Sequence, residues 1–357
     1  MCAGGRMPHT REPAGTAAGR VPVVAVTGHL GAGKTSLVNH LLRTPGARLG
    51  VVVNDFGALN VDAALVTGQV DEAAAISGGC VCCLPDAGGL DDALGRLAHP
   101  RLRLDAIVVE ASGVAEPAAL ARLIRFSGVA RVRPGGVVDV IDALNHFTTI
   151  DSGDDVPARY ATASLVVIGK TDLLPASERA STIARIAGRV RSRNPRAHLA
   201  TARAGAIDAA LVFDVADQND PIDELPLARI TREAHHGPGH HAHEHARSAS
   251  VPLRAPVSPS ALVDLLEHPP RGAYRLKGRV RVQGTGRDHG YLVDVVGWSI
   301  HVSALPSPPE IGELVAIGVD LDATEAETAL HALASASAAR ADVAGRRRLE
   351  RYRRLSE

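Results

Sequence analysis

Aromatic residues make up only 3% of this sequence, with a single tryptophan in 357 residues. A stacking platform for single-stranded nucleic acid needs more rings than that. Charge of one sign is also missing: Lys+Arg and Asp+Glu each number 39, for a formal net charge of +0. That excludes a bulk-electrostatic nucleic-acid binder and leaves room only for a local basic patch. No apolar run reaches the roughly 18 residues of a membrane-crossing helix. The first twenty residues lack the apolar stretch of a secretory signal. These absences lead us to expect a cytoplasmic protein with no nucleic acid and no membrane among its partners. Lysine is scarce as well: Lys34, Lys170 and Lys277 are the three lysines among 39 basic residues. Where arginine is used nearly everywhere, a retained lysine suggests a site that wants a compact charge on a thin stem. Of four cysteines, three fall at Cys80, Cys82 and Cys83. They are too close together for a disulfide framework, and in a reducing compartment they read as a metal or redox site.

The composition, 45% hydrophobic and 22% charged, is globular, and the length suits two domains better than one. Short apolar runs at 21–26, 50–53, 106–109, 137–141 and 165–168 read as buried strands. Helical spacing appears between them, at 35–42, 89–97, 117–126 and 177–190. Alternating strand and helix predicts an α/β domain, a mainly parallel sheet covered on both faces. Residues 235–245 then read HHGPGHHAHEH, six histidines in eleven positions, a composition that cannot pack a core. Beyond it, Ser258-Pro259 opens a helix through Leu266. Strand-like runs follow at 274–282, 291–302 and 314–319, which predicts a small α+β domain. The expected organisation is a disordered tail at 1–20, a P-loop domain at 21–222, a His-rich linker at 223–250, the α+β domain at 251–322, and a helix with a basic tail at 323–357. Six arginines between Arg346 and Arg354 mark that tail as a solvated helix end or a docking surface.

Residues 28–35, GHLGAGKT, fit G-x-x-x-x-G-K-[ST] in full, after a buried strand and before a helix. Gly28, Gly31, Ala32 and Gly33 let successive backbone N–H groups turn around phosphate oxygens, with Ser36 following in the first helical turn. Lys34 reaches the β- and γ-phosphates and Thr35 ligates Mg²⁺. Glu110 closes a hydrophobic strand, where an acid holds or orients the magnesium shell. The following Ala111-Ser112-Gly113 is placed to contact a γ-phosphate. After another buried strand comes Gly169-Lys170-Thr171-Asp172. A carboxylate at Asp172 would accept from guanine N1–H and the 2-amino group, a donor pair adenine lacks, and the stem of Lys170 would cover one face of the base. The candidate nucleotide is therefore GTP.

Gly78-Gly79-Cys80-Val81-Cys82-Cys83 lies between the phosphate loop and the strand ending at Glu110. Three thiolates suit a soft or borderline cation such as Zn²⁺, and three protein ligands leave a fourth position open. The histidine run is read as weak multivalent metal capture or as a spacer.

Taken in order, GHLGAGKTS, VNDFG, GGCVCCL, EASGVAEP and GKTD, then the His-rich linker, RLKG at 275–278 and ELVAIGVDLD at 313–322, resemble the CobW family of P-loop GTPases. The likeness spans roughly residues 21 to 322. It implies GTP hydrolysis coupled to delivery of Zn²⁺, or in some members Co²⁺ or Fe, to a client metalloprotein, with a homodimer left open. It places Cys80, Cys82 and Cys83 as metal ligands, and Asp55 in the segment that senses the γ-phosphate and Mg²⁺. Three positions depart from the family pattern: Asp55 stands for Glu, Ala58 for an acid that often follows, and Gly169 for Asn. Two other readings fit the same motifs. One is a zinc buffer or storage protein with weak GTPase activity. The other is an activator dedicated to a single metalloenzyme of the nitrile hydratase or cobalt chelatase type.

Overall fold

The computed structural model describes residues 20–45, 47–53, 73–75, 88–113, 115–213, 245–335 and 342–356. The strand β1, Val21–Gly28, has six consecutive buried positions from Val23 onward. A strand buried on both faces has to read as a continuous apolar run, and this one lies at the centre of its sheet. The helix α1, Lys34–Leu42, follows, burying Leu37, Val38, Leu41 and Leu42 along one stripe. Next come β2 (Leu49–Val53), β3 (Ala73–Ala75), α2 (Gly88–Leu97), β4 (Ala106–Glu110), α3 (Pro117–Arg125) and β5 (Val132–Asp142). The short α4 (His146–Thr149), β6 (Leu165–Gly169), α5 (Ala176–Arg193) and β7 (His198–Thr201) complete the first unit.

The seven strands lie in the order β3-β2-β4-β1-β5-β6-β7, and every pairing is parallel. Alternate residues of β1 serve opposite faces. Val24 and Val26 pack with Leu37 and Leu41 of α1, while Val23 and Ala25 pack with Leu94 of α2 and Leu120 of α3. This is the expected parallel α/β architecture. The chain leaves β1 towards β2 on one side and later adds β5 on the other. The carboxyl ends of β1, β4 and β5 therefore border the crevice where such sheets bind ligands.

The second unit is a five-stranded antiparallel sheet in the order β11-β10-β9-β12-β8. Its strands are β8 (Arg247–Leu253), β9 (Arg275–Val282), β10 (His289–Val296), β11 (Ser299–Ala304) and β12 (Gly312–Gly318). The helices α6 (Pro259–Glu267), α7 (Ala323–Ser335) and α8 (Val343–Ser356) cover one face, burying Leu262, Leu330 and Leu349 against Val251, Leu276 and Leu314. The hydroxyl of Ser258 caps α6 by accepting from the amide of Ala261 at 3.4 Å. Three features differ from the expectation. The run 291–302 is two strands folded about Gly297, at φ 58°, and Trp298, whose side chain is 43% exposed. β8 begins at Arg247, on residues that composition had given to the linker. The helix expected from Ala323 onward is two helices, α7 and α8.

A polar and an apolar seam join the two sheets. Arg133 at the start of β5 donates to the buried carboxylate of Asp294 on β10. Arg275 Nη1 donates to the carbonyl of Ala210 at 3.1 Å. Tyr274, Val296, Val315 and Ile317 share one core with Leu211 and Phe213. Burial pushes the Asp294 carboxyl up, but Arg133, Arg275 and Lys277 outweigh it and hold the group down to about 2. No helix among the described residues is long and apolar enough to cross a membrane.

Candidate nucleotide-binding site

The loop between β1 and α1 is built on backbone angles that side chains resist. Gly28, Gly31 and Gly33 have φ of 150°, 76° and 102°. A Cβ on Gly28 would stand 2.6 Å from the carbonyl oxygen of Val140 on β5, so that strand holds the loop closely. Gly33, the residue before α1, is left-handed and no described side chain caps the helix. The first-turn amides of α1 thus face the loop, an arrangement that favours an anion. Ala32 is buried, Ser36 is exposed, and the amide of Ala32 donates to the His29 carbonyl at 3.0 Å.

Lys34 folds back over this loop. Its Nζ donates to the carbonyls of Gly28 at 3.1 Å and His29 at 3.3 Å, and the residue is 8% exposed. Thr35 Oγ1 donates to Glu110 Oε1 at 2.8 Å, across 75 residues of sequence. The parallel register explains the meeting: Val26 of β1 pairs with Glu110 at the end of β4, so the carboxylate stands two residues below the point where β1 gives way to the loop. A hydroxyl and a carboxylate this close are hard oxygen donors, and they fit Mg²⁺ with its retained waters. The segment after β4 also returns to the loop. A Cβ on Gly113 would meet the Leu30 amide nitrogen at 2.6 Å, leaving glycine as the residue that fits.

The base loop leaves β6 at Gly169. Lys170 adopts φ 57°, and its Nζ pairs with Asp142 Oδ2 at 2.7 Å at the end of β5. Burial raises the Asp142 carboxyl, yet the hydrogen bonds from Lys170 and Asn145 prevail and hold it below the usual carboxylate range. Asp172 is exposed and makes no hydrogen bond or ion pair among the described residues. A cleft of about 270 Å³ opens beside the phosphate loop, lined by His29, Gly31, Asp142, His146 and Lys170 among others.

Three elements of the site escaped the sequence reading. The turn after β7 lies against the base loop and α1: Thr171 Oγ1 donates to the Ala202 carbonyl at 3.2 Å, and a Cβ on Gly205 would stand 2.7 Å from the Ser36 carbonyl carbon. Its signal was there, a small-residue Ala-Gly pair now seen with φ of 49° at Ala204 and 79° at Gly205. Arg179 and Asp142 had no signal of their own. Arg179, on the first turn of α5, donates to the carbonyls of Thr171 at 2.7 Å and Leu174 at 3.2 Å. The structure thus gathers Gly28, Gly31, Ala32, Gly33, Lys34, Thr35, Ser36 and Glu110 at the crevice, with Lys170 and Asp172 on the neighbouring loop. Asp55, Cys80, Cys82, Cys83 and residues 235–244 lie outside the described residues. Among the described residues no group of three or more His, Cys, Asp or Glu could hold a metal ion.

Comparison with known proteins follows the same division. Residues 22–198 match the family described as CobW/HypB/UreG, nucleotide-binding domain. Residues 246–334 match the cobalamin synthesis protein cobW C-terminal domain. The zinc chaperone CobW of Sinorhizobium sp is 28% identical over 317 residues, 78% of this chain and 86% of the relative. The zinc chaperone YjiA of Escherichia coli is 30% identical over 203 residues, 54% of this chain and 61% of that protein. The crystal structure of Zn(II)-bound YjiA GTPase from E. coli aligns over 88% of this chain and 99% of that one, at 21% identity and a TM-score of 0.40. With one matched domain on each sheet, in the order the sequence motifs predicted, the chain belongs to the CobW family of P-loop GTPases.

Proposed function

We propose that this protein is a GTP-hydrolysing metallochaperone that binds Zn²⁺ through Cys80, Cys82 and Cys83 and passes it to a client metalloprotein. The observation that carries the reading is the Thr35–Glu110 hydrogen bond beside Lys34 at the crevice of the parallel sheet. It supplies a nucleoside triphosphate site in a family whose relatives include proteins named zinc chaperones.

In this mechanism the amides of residues 28–35 and the first turn of α1 bind the phosphate oxygens. Lys34 leaves the carbonyls it now touches and neutralises charge between the β- and γ-phosphates. Thr35 and Glu110 hold Mg²⁺ and its waters, and Asp55 reads the γ-phosphate. The magnesium ion, when bound, offsets the charge that develops as the γ-phosphoryl group transfers to water. Lys170 covers one face of the base and Asp172 accepts from N1–H and the 2-amino group of guanine. The thiolate cluster falls in sequence between Asp55 and Glu110, so the nucleotide state is placed to bias metal affinity. Cobalt is the alternative cargo for the same ligand set.

Coupling separates a chaperone from a zinc buffer. Zn²⁺ affinity should differ between the GTP and GDP states by roughly 5–150-fold, and bound Zn²⁺ must change the preference for GTP over GDP by the same factor. Competition against a chromophoric chelator at constant free Mg²⁺ measures the first, and nucleotide titration with and without Zn²⁺ measures the second. Replacing the three cysteines together by Ser should erase the coupling and spare basal hydrolysis. Identical Zn²⁺ affinities in the two nucleotide states would replace the chaperone with the buffer.

A further inference from the structure

The base loop has no side chain at Gly169 with which to brace itself. A Cβ there would have as its nearest neighbours the Ile141 carbonyl oxygen at 3.5 Å, that of Ala32 at 3.7 Å and Val140 Cγ1 at 4.0 Å, all ordinary contacts, so the position has room for one. The bracing comes instead from neighbouring elements. On one flank Asp142 holds Lys170, and Asp142 is itself fixed by the amides of Leu144 at 3.0 Å and Asn145 at 3.3 Å. On the other flank the Arg179 guanidinium spans the carbonyls of Thr171 and Leu174. Those two carbonyls bracket Asp172. Because Asp172 has no bond of its own among the described residues, the direction of its carboxylate follows from the backbone on either side. A planar fork with two donors fixes that backbone in orientation as well as distance, which a point charge cannot do.

We propose that Arg179 is a positioning residue for guanine recognition, setting Asp172 in place of the brace missing at position 169. The inference rests on the reading of Asp172 as the base-selecting group. Its signature is selectivity. Guanine offers a carboxylate two donors and hypoxanthine, lacking the 2-amino group, offers one. A correctly aimed Asp172 therefore separates GDP from IDP, and a misaimed one does not.

The test uses the full chain as wild type, Arg179→Met, Arg179→Lys, and Arg179→Met combined with Gly169→Asn. Dissociation constants for GDP, IDP and ADP are measured by displacement of a fluorescent guanine nucleotide, with the thermal midpoint of each variant alongside. Arg179→Met should weaken GDP about tenfold and IDP less, in line with losing hydrogen bonds that a charged donor makes. The GDP-to-IDP preference should then shrink. Arg179→Lys, which keeps the charge without the fork, should fall between and carries the test if the Met variant does not fold. Adding Gly169→Asn, whose amide can reach the Ala32 carbonyl, should restore most of the preference. A wild-type protein that binds GDP no better than ADP overturns the reading of Asp172 and this inference with it. A wild-type preference that survives intact in the Arg179 variants overturns the inference alone.

Discussion

Lys34 is nearly enclosed by the loop it serves. Its Nζ lies on the carbonyls of Gly28 and His29, so the ammonium is held against the turn between β1 and α1. Removing the ammonium leaves that turn without its charge. Lys34→Ala should lower GTP hydrolysis at least about 10²-fold, the scale of a lost electrostatic stabiliser. Phosphate release measures it, with far-UV circular dichroism as the check that the fold persists; unchanged turnover would remove Lys34 from the mechanism. This part of the site was legible in the sequence because its chemistry constrains residue type at fixed spacing. Left-handed angles select glycine at 28, 31 and 33, and a strand-end acid at 110 meets Thr35 through parallel pairing. Arg179 and Asp142 were not legible. Each acts through backbone carbonyls or another side chain, and an arginine on the first turn of a helix looks the same in sequence whether it faces solvent or a loop.

Among the elements, the short ones were hidden. β7 has four residues and β8 alternates Ser with small and apolar residues, so neither shows the apolar run that revealed β1, β4 and β6. β10 and β11 merged into one expected strand because Trp298 keeps the run apolar across a tight turn. Yet the turn after β7 matters to the site, since it wedges between α1 and the base loop. Gly205 has φ 79°, and an added Cβ would lie 2.7 to 2.9 Å from the backbone of Ser36 and Leu37. Gly205→Ala should therefore destabilise the protein by about 1–3 kcal/mol, the usual cost of a strained residue. It should also weaken nucleotide binding, because the wedge shifts α1 and Thr171 together. Urea unfolding and nucleotide titration report the two effects. Full stability with normal affinity would show that the turn tolerates the methyl group.

For the molecule as a whole, the seam between the sheets contributes to the response to acid. The His198 ring stacks obliquely 5.1 Å from the Tyr274 ring, and burial brings its imidazole down from 6.5 to about 4, against a smaller opposing pull from Asp320. His301 is likewise brought down to about 4 by burial and by Arg133, with Asp294 opposing. Both rings are neutral when folded and accept protons near pH 6.5 when unfolded. Their contribution to stability is complete above about pH 6.5 and is lost as the pH falls towards 4. Asp294, held down to about 2, adds a loss in more acidic solution, between about 4 and 2. The thermal midpoint should accordingly fall between pH 6.5 and 4.5, and His198→Gln with His301→Gln should flatten that decline. An equal slope in the double variant would assign the acid sensitivity to other groups.

The lone indole of the chain sits in the turn joining β10 to β11, next to Gly297, and a Cβ on that glycine would come within 3.0 Å of Ser164 at the foot of β6. Light emitted on excitation at the red edge of protein absorbance therefore originates at one address, a half-exposed turn next to the line where the two sheets meet. A ligand at the far end of the parallel sheet leaves that emission unchanged if the sheets move as one body. If nucleotide or metal parts them, the polarity around the indole changes and its colour shifts, so the protein carries an unlabelled optical gauge of how its two sheets sit together.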